Sequence, residues 1–189
     1  AAAGLFDREA SRALASTRFV VASHLKPFEF LKPGDFSLRC WLEDEGGGRR
    51  IFITWREDMT SSLAPLIAAW VDVVCTAVLS LPPSADRRLW LLLDELPSIG
   101  KVGSLEAALT KGRKHGLCTV AGVQSTAQLE RLYGRESAVV LRSCFRNFLA
   151  LGLSKADPDT CETFSKALGE REVDRAVPSK TRGASGASQ

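Results

Sequence analysis

A chain of 189 residues is long enough for one domain with a sizeable core, or for one domain and a piece of another. Its 45% hydrophobic and 25% charged residues are those of a globular protein and exclude a wholly disordered chain, a collagen-like chain and a coiled coil. The formal charge of +3 is mildly basic and does not by itself imply nucleic acid. His24 and His115 lie too far apart in sequence to suggest a His-only metal site. The five cysteines (Cys40, Cys75, Cys118, Cys144, Cys161) are odd in number and contain no C-x-x-C pair, so they carry neither a zinc spacing nor a disulfide framework. All but Cys161 have apolar neighbours and read as small core residues in a reducing compartment. No signal peptide opens the chain, and the greasiest stretch, 67–81, contains Asp72 and falls short of the roughly 20 residues a bilayer needs, so the chain as given reads as soluble.

Apolar residues at helical spacing (Phe6, Ala10, Ala13, Leu14, Val20, Val21, Leu25) predict an amphipathic helix over 5–25. Pro27 and Pro33-Gly34 break that pattern, and 37–42 suits one more short helix. The polar, glycine-rich run 43–48 marks a boundary. Beyond it RIFITW (50–55) reads as a strand, and 63–81, apolar almost all round, as a helix packed on both sides and ended by Pro82-Pro83. LWLLL (89–93) is a continuous apolar run, the mark of a central strand covered on both faces. A helix over 105–114, with Gly116 at its C-terminal end, leads into a strand over 117–123. Ser125-Thr126-Ala127-Gln128 fits a capping box, Gly134 punctuates that helix, and another helix suits 136–144. A strand is expected over 147–151, then a helix with Asp157 as N-cap, Pro158 at its first position and Gly169 at its stop. The tail, 178–189, is rich in Ser, Gly and Ala and reads as loose. Strands alternating with helices predict an α/β fold with a largely parallel sheet, whose chemistry collects at the carboxyl ends of the strands.

Two such ends carry polar residues. Asp94-Glu95 follow directly on LWLLL, as in a Walker B motif: Asp94 suits Mg²⁺ held through water, and Glu95 suits the base that polarises the attacking water. The plainer alternative is a strand that simply ends in solvent-facing acids. Gln124 ends the next strand, and adjacent strands lie about 5 Å apart, so its amide can orient the water or sense a γ-phosphate. The basic helix end, 110–115, is either a solvated face favoured by the helix dipole or a functional surface. In the second reading Arg113 reaches a neighbouring subunit's phosphates, and Lys101, Lys111 and Lys114 touch a nucleic-acid backbone. Arg142 and Arg146 are weaker candidates for the same role in trans. His115 reads as an exposed cap and His24 as a helix-end residue, while Trp41, Trp55, Trp70 and Trp90 read as core. The chain contains no G-x-x-x-x-G-K-[ST] phosphate cradle and no intrinsic metal site.

ITWREDM (53–59), DELPS (94–98), ALTKGRK (108–114) and GVQSTAQL (122–129) together resemble the coupling proteins of type IV secretion and bacterial conjugation, in their conjugative TraD/TrwB branch. The likeness runs from about residue 10 to residue 175. It implies a RecA-like P-loop NTPase core, here partial, preceded by the end of an all-helical insertion. The resulting division is 1–45 as the end of the insertion, 46–177 as the partial motor domain, and 178–189 as the tail. It also implies an inner-membrane-anchored homo-hexamer, facing the cytoplasm, that uses ATP and Mg²⁺ to move single- or double-stranded DNA. Its partners are relaxase and relaxosome proteins and the secretion channel. Asp94 and Glu95 match the family's Walker B pair, Gln124 its strand-end glutamine, and Arg113 a basic position acting between subunits. The chain departs from the pattern in having no membrane anchor, no Walker A loop and no final strands, and in carrying Glu136 where close relatives can carry lysine. It is therefore expected to be an internal fragment that does not hydrolyse ATP by itself. A non-catalytic module that recruits DNA or protein is the alternative, and a chromosome-segregation pump is a third reading that ITWREDM disfavours.

Overall fold

The structure, a computed structural model, describes residues 8–44, 48–154 and 156–170. The chain divides into two compact units, Ala1–Leu151 and Gly152–Gln189. In the first, α1 (Arg8–Leu25) leads through a short 3-10 turn to α2 (Leu38–Glu43). Ser37 caps α2 by accepting the Cys40 N–H. The central helix α3 (Thr60–Ser80) follows, then β1 (Leu89–Leu93), α4 (Leu105–Lys111), β2 (Leu117–Ala121), α5 (Thr126–Tyr133) and α6 (Arg135–Cys144). In the second unit α7 (Pro158–Leu168) begins at Asp157, which accepts from the Thr160 N–H, and stops at Gly169, whose φ is +72°. The expected tail, 178–189, lies outside the described residues, as do the boundaries at 45–46 and 177–178.

The core forms where α3 meets α4 and the loops leaving β1. Leu66, Ile67, Val71, Cys75, Ala77 and Val78 are its buried face on α3. Leu93, Leu96, Ile99, Val102, Leu105 and Ala108 come up from the β1–α4 segment, and Leu129, Tyr133, Ala138 and Leu141 close it from α5 and α6. Asp72 on α3 organises this joint, because its Oδ1 accepts the Ser104 N–H at 2.8 Å and so supplies the start of α4 with a cap from another helix. Tyr133 does the same at the far side, its hydroxyl accepting the Val102 N–H at 3.2 Å. With its leading turn, α3 is long and apolar enough to cross a membrane by length and composition. The estimate from 67–81 therefore undercounts it: the helix runs on past Pro65 toward its start. It packs against α2 and α4 through Leu66, Ile67, Val71, Cys75, Ala77 and Val78 while Val73 stays exposed, so it is covered less fully than a helix packed on both sides.

The sheet is smaller than the sequence predicts. β1 and β2 pair in parallel, Leu89 opposite Leu117 through Leu93 opposite Ala121. Residues 50–55 and 147–151 join no sheet among the described residues. A β-branched run becomes a strand only when a neighbour takes up its N–H and C=O groups. Trp55 instead leans on the core and donates its indole N–H to Thr60 Oγ1 at 3.0 Å, while Leu149 and Leu151 are 81% and 88% exposed. Nor is β1 covered on both faces: Leu89, Leu91 and Leu93 pack on the core, whereas Trp90 and Leu92 are 63% and 69% exposed and Val120 of β2 lies open beside them. Trp90 is thus no core residue among the described ones.

Two smaller expectations also change. His115 is buried, its Nδ1 2.6 Å from the Leu81 carbonyl oxygen, so it ties the end of α3 to the 3-10 turn after α4 instead of capping in solvent. Gly116, at φ +88°, then turns the chain into β2 at a point where a Cβ would collide with the Arg87 backbone. Of the cysteines only Cys75 is fully buried; Cys40 is exposed and the other three are half-buried.

Candidate functional site

Parallel pairing in register brings the carboxyl ends of β1 and β2 side by side. The ladder continues past both strands: the Gly122 N–H donates to Leu93 O at 2.8 Å, and the Leu96 N–H donates to Gly122 O at 3.0 Å. Gly122 is required here, because a Cβ would overlap the Asp94 carbonyl oxygen. This close approach aligns Asp94-Glu95 with Gln124. The Gln124 Nε2 donates to Glu95 Oε2 at 3.3 Å, while Asp94 stands exposed beside them. Two turns follow: β1 passes into a 3-10 turn, Leu96–Ile99, with Leu96 and Ile99 anchored in the core, and β2 passes into α5. Glu95 is thus followed directly by a turn anchored in the core, with Gln124 exposed beside it.

The capping box expected at the start of α5 is only half present. Ser125 stands at the N-cap, yet its side chain makes no cap bond. Gln128 does reach back, but to the Gln124 N–H, which it meets with Oε1 at 3.2 Å, one residue beyond the N-cap. Its Nε2 also donates to Gln124 Oε1 at 3.4 Å. Sequence reasoning placed Gln128 in the cap and missed this contact with the site, because a capping pattern describes the backbone and says nothing of a neighbouring amide.

The donor set here suits one kind of metal. Among the described residues no three His, Cys, Asp or Glu side chains gather as a metal cluster. A lone exposed carboxylate beside a strand end suits Mg²⁺, which keeps most of its waters and takes one or two carboxylates with phosphate oxygens. Asp94 fits that requirement.

The basic residues lie elsewhere. Arg88, Lys111, Arg113 and Lys114 line an open cleft at the amino ends of β1 and β2, together with Gly116 and Leu117. No carboxylate is among its described lining residues. Arg88 folds back on its own loop, donating to the Ala85 and Arg87 carbonyls, while Lys111, Arg113 and Lys114 are exposed. A strand of five residues separates this cleft from Asp94 by about 15 Å. Within one chain, therefore, Asp94, Glu95 and Gln124 come together and Arg113 does not join them. Lys101 is parted from Lys111 and Lys114 as well, since it precedes α4 while Lys111 ends α4 and Lys114 lies in the 3-10 turn after it. Arg142 lies near Glu130, at 3.8 Å, and bridges α6 to α5.

The family described as type IV secretion-system coupling protein DNA-binding domain matches residues 1–189. Coupling protein TraD of Escherichia coli strain K12 is 33% identical over 149 residues, which are 74% of this chain and 21% of that protein. Among solved structures, plasmid coupling protein TrwB in complex with the non-hydrolysable ATP analogue ADPNP is 56% identical with a TM-score of 0.81, over 89% of this chain and 41% of that one. TrwB in complex with ADP and Mg²⁺ is also 56% identical, with a TM-score of 0.79, over 86% of this chain and 39% of that one. The chain thus spans about a fifth of the length of the curated relative and about two fifths of the solved ones. Its fold is α/β, part of a RecA-like NTPase core. With the family matching end to end, the chain belongs to the type IV secretion-system coupling proteins.

Proposed function

We propose that this segment is the water-activating half of an ATP-driven DNA-translocating coupling protein, one that links a relaxase–DNA complex to a type IV secretion channel. The observation that carries the reading is the meeting of Glu95 and Gln124 beside Asp94 at the carboxyl edge of the parallel pair. Mg²⁺, when bound, neutralises charge on the phosphate oxygens. Asp94 would hold it through water. Glu95 takes the proton from the attacking water as its oxygen bonds the γ-phosphorus and the bond to the bridging oxygen breaks. Gln124 orients that water by its amide. The bound ADPNP and the ADP with Mg²⁺ in TrwB support ATP and Mg²⁺ as the ligands.

Arg113, remote from Asp94 in its own chain, suits a role toward a neighbouring subunit's phosphates in a homo-hexamer, where a guanidinium stabilises the transferring group. Lys111 and Lys114 share its cleft and suit a nucleic-acid backbone, single- or double-stranded; Lys101 would meet a separate stretch. Residues 1–45 are assigned to the all-helical insertion and 46–177 to the motor. The whole protein is placed at the inner membrane, on its cytoplasmic face. The test is ATP hydrolysis by a full-length coupling protein carrying these residues, with and without single-stranded DNA, comparing the wild type with Glu95→Gln. Loss of DNA-stimulated turnover with nucleotide binding retained assigns Glu95 its role. Unchanged turnover makes the acidic pair structural, and a full-length protein with no turnover under any condition moves the recruitment module to the front.

A further inference from the structure

We infer that Gln128 is a positioning residue for hydrolysis, fixing which end of the Gln124 amide faces Glu95; this rests on the reading of Asp94, Glu95 and Gln124 as the hydrolytic site. Donor and acceptor polarity sets the orientation of both amides. A backbone N–H can only donate, so the Gln124 N–H selects the oxygen of Gln128, Oε1, at 3.2 Å. The nitrogen of Gln128 is then the end left over, and it donates to Gln124 Oε1 at 3.4 Å. That choice leaves Gln124 with Nε2 pointing away from α5, and Nε2 meets Glu95 Oε2 at 3.3 Å, where a carboxylate can only accept. Reversing either amide sets donor against donor or acceptor against acceptor at one or more of the three contacts.

The relay therefore has a fixed sense, set at one end by the backbone and at the other by Glu95. Its two ends differ in what they do during a reaction. A base that turns to a water gives up its hold on Gln124, whereas the backbone N–H of residue 124 stays where the β2–α5 turn puts it. Gln128 is then the contact that keeps the Gln124 amide in one orientation. Its placement in the first turn of α5 supports this, since the half-buried side chain bypasses the N-cap that a capping box would serve.

The isosteric change Gln128→Glu tests the polarity. One carboxylate oxygen still accepts the Gln124 N–H, but the other can no longer donate, so the Gln124 amide reverses and presents its oxygen to Glu95. Gln128→Met removes the contact at similar length without adding charge. In a full-length coupling protein carrying these residues, Gln128→Glu is expected to lower kcat for ATP about 10- to 100-fold with KM within about twofold, and Gln128→Met to lower it less. In a Gln124→Ala background, Gln128→Met is expected to cost less than about twofold more, since it acts only through Gln124. The inference is overturned if the two losses multiply, if kcat is unchanged in both Gln128 variants, or if kcat falls only in step with nucleotide affinity and thermal stability. Glu95→Gln, measured alongside, separates the two levels: turnover lost there but intact in the Gln128 variants sinks the relay alone, and turnover intact in Glu95→Gln sinks the hydrolytic reading and the relay with it.

Discussion

The carbonyl oxygen of Asp94 occupies the space that any side chain at residue 122 would need. The two residues sit on adjoining strand ends, and this approach holds the acidic pair level with Gln124. Gly122→Ala is therefore expected to push the strand ends apart. A loss of about 3 kcal/mol in unfolding free energy is expected by urea denaturation, a typical cost of overfilling a packed site. A variant as stable as the wild type would mean that the ends separate freely and that their closeness is not built in.

Thr119 on β2 faces the core with its hydroxyl buried and no hydrogen-bond partner among the described residues. An orphaned buried hydroxyl is a liability that a methyl group of the same shape does not share. Thr119→Val is expected to leave stability unchanged or raise it by about 1 kcal/mol in the same denaturation experiment. A loss of that size would show that the hydroxyl has a partner in the full protein.

Burial pushes the Cys75 thiol from 9.0 up to about 11; a hydrogen bond to Ser104 opposes the shift and the charge of Asp72 adds to it. A folded-state value above the unfolded one means the folded protein holds the proton longer. The contribution to stability is complete below pH 9 and is lost as pH rises toward 11. Between pH 8 and 10.5 the wild type is expected to lose about 2 kcal/mol more than Cys75→Ala, as read from urea midpoints at each pH. Tyr133, raised by burial and further by Cys75, remains in both proteins, with the part owed to Cys75 lost in the variant. Equal losses would show that Cys75 is not protected in solution.

Lys111 and Lys114 open into the same cleft at the amino edge of the sheet, and Lys101 stands at the other end of α4. Each lysine that neutralises a phosphate of single-stranded DNA adds about 0.7 to the slope of log affinity against log salt. In a full-length coupling protein carrying these residues, Lys111→Ala with Lys114→Ala is expected to lower that slope by about 1.4. A further drop of about 0.7 in Lys101→Ala would mean the strand runs along α4 from end to end. An unchanged slope in all three would remove DNA from this face.

Much of the candidate site was legible in the sequence because its residues follow directly on strands. LWLLL ran into Asp94-Glu95 and the next strand into Gln124, so a parallel pairing was enough to bring them together. The polarity of the site was not legible. Gln128 carried a helix-start pattern, and only its position beside Gln124 revealed a second use. Arg113 was legible as a cation on a helix end with a reading toward a neighbouring subunit, but its place at the amino edge of the sheet was not, since periodicity does not say at which edge a helix finishes.

The helices α3 to α6 were settled by local signals: apolar spacing, Pro82-Pro83 after α3, and the glycines at 116 and 134. Such signals act within a few residues and survive without neighbours. Strands are different, because their hydrogen bonds belong to partners distant in sequence. Residues 50–55 and 147–151 have the composition of strands and join no sheet among the described residues, and the outer face of β1 carries the leucine and tryptophan of a covered strand while lying open. The tertiary structure decided which apolar runs found a partner, and it turned His115 inward onto Leu81, where a lone histidine at a helix end gave no local sign of burial.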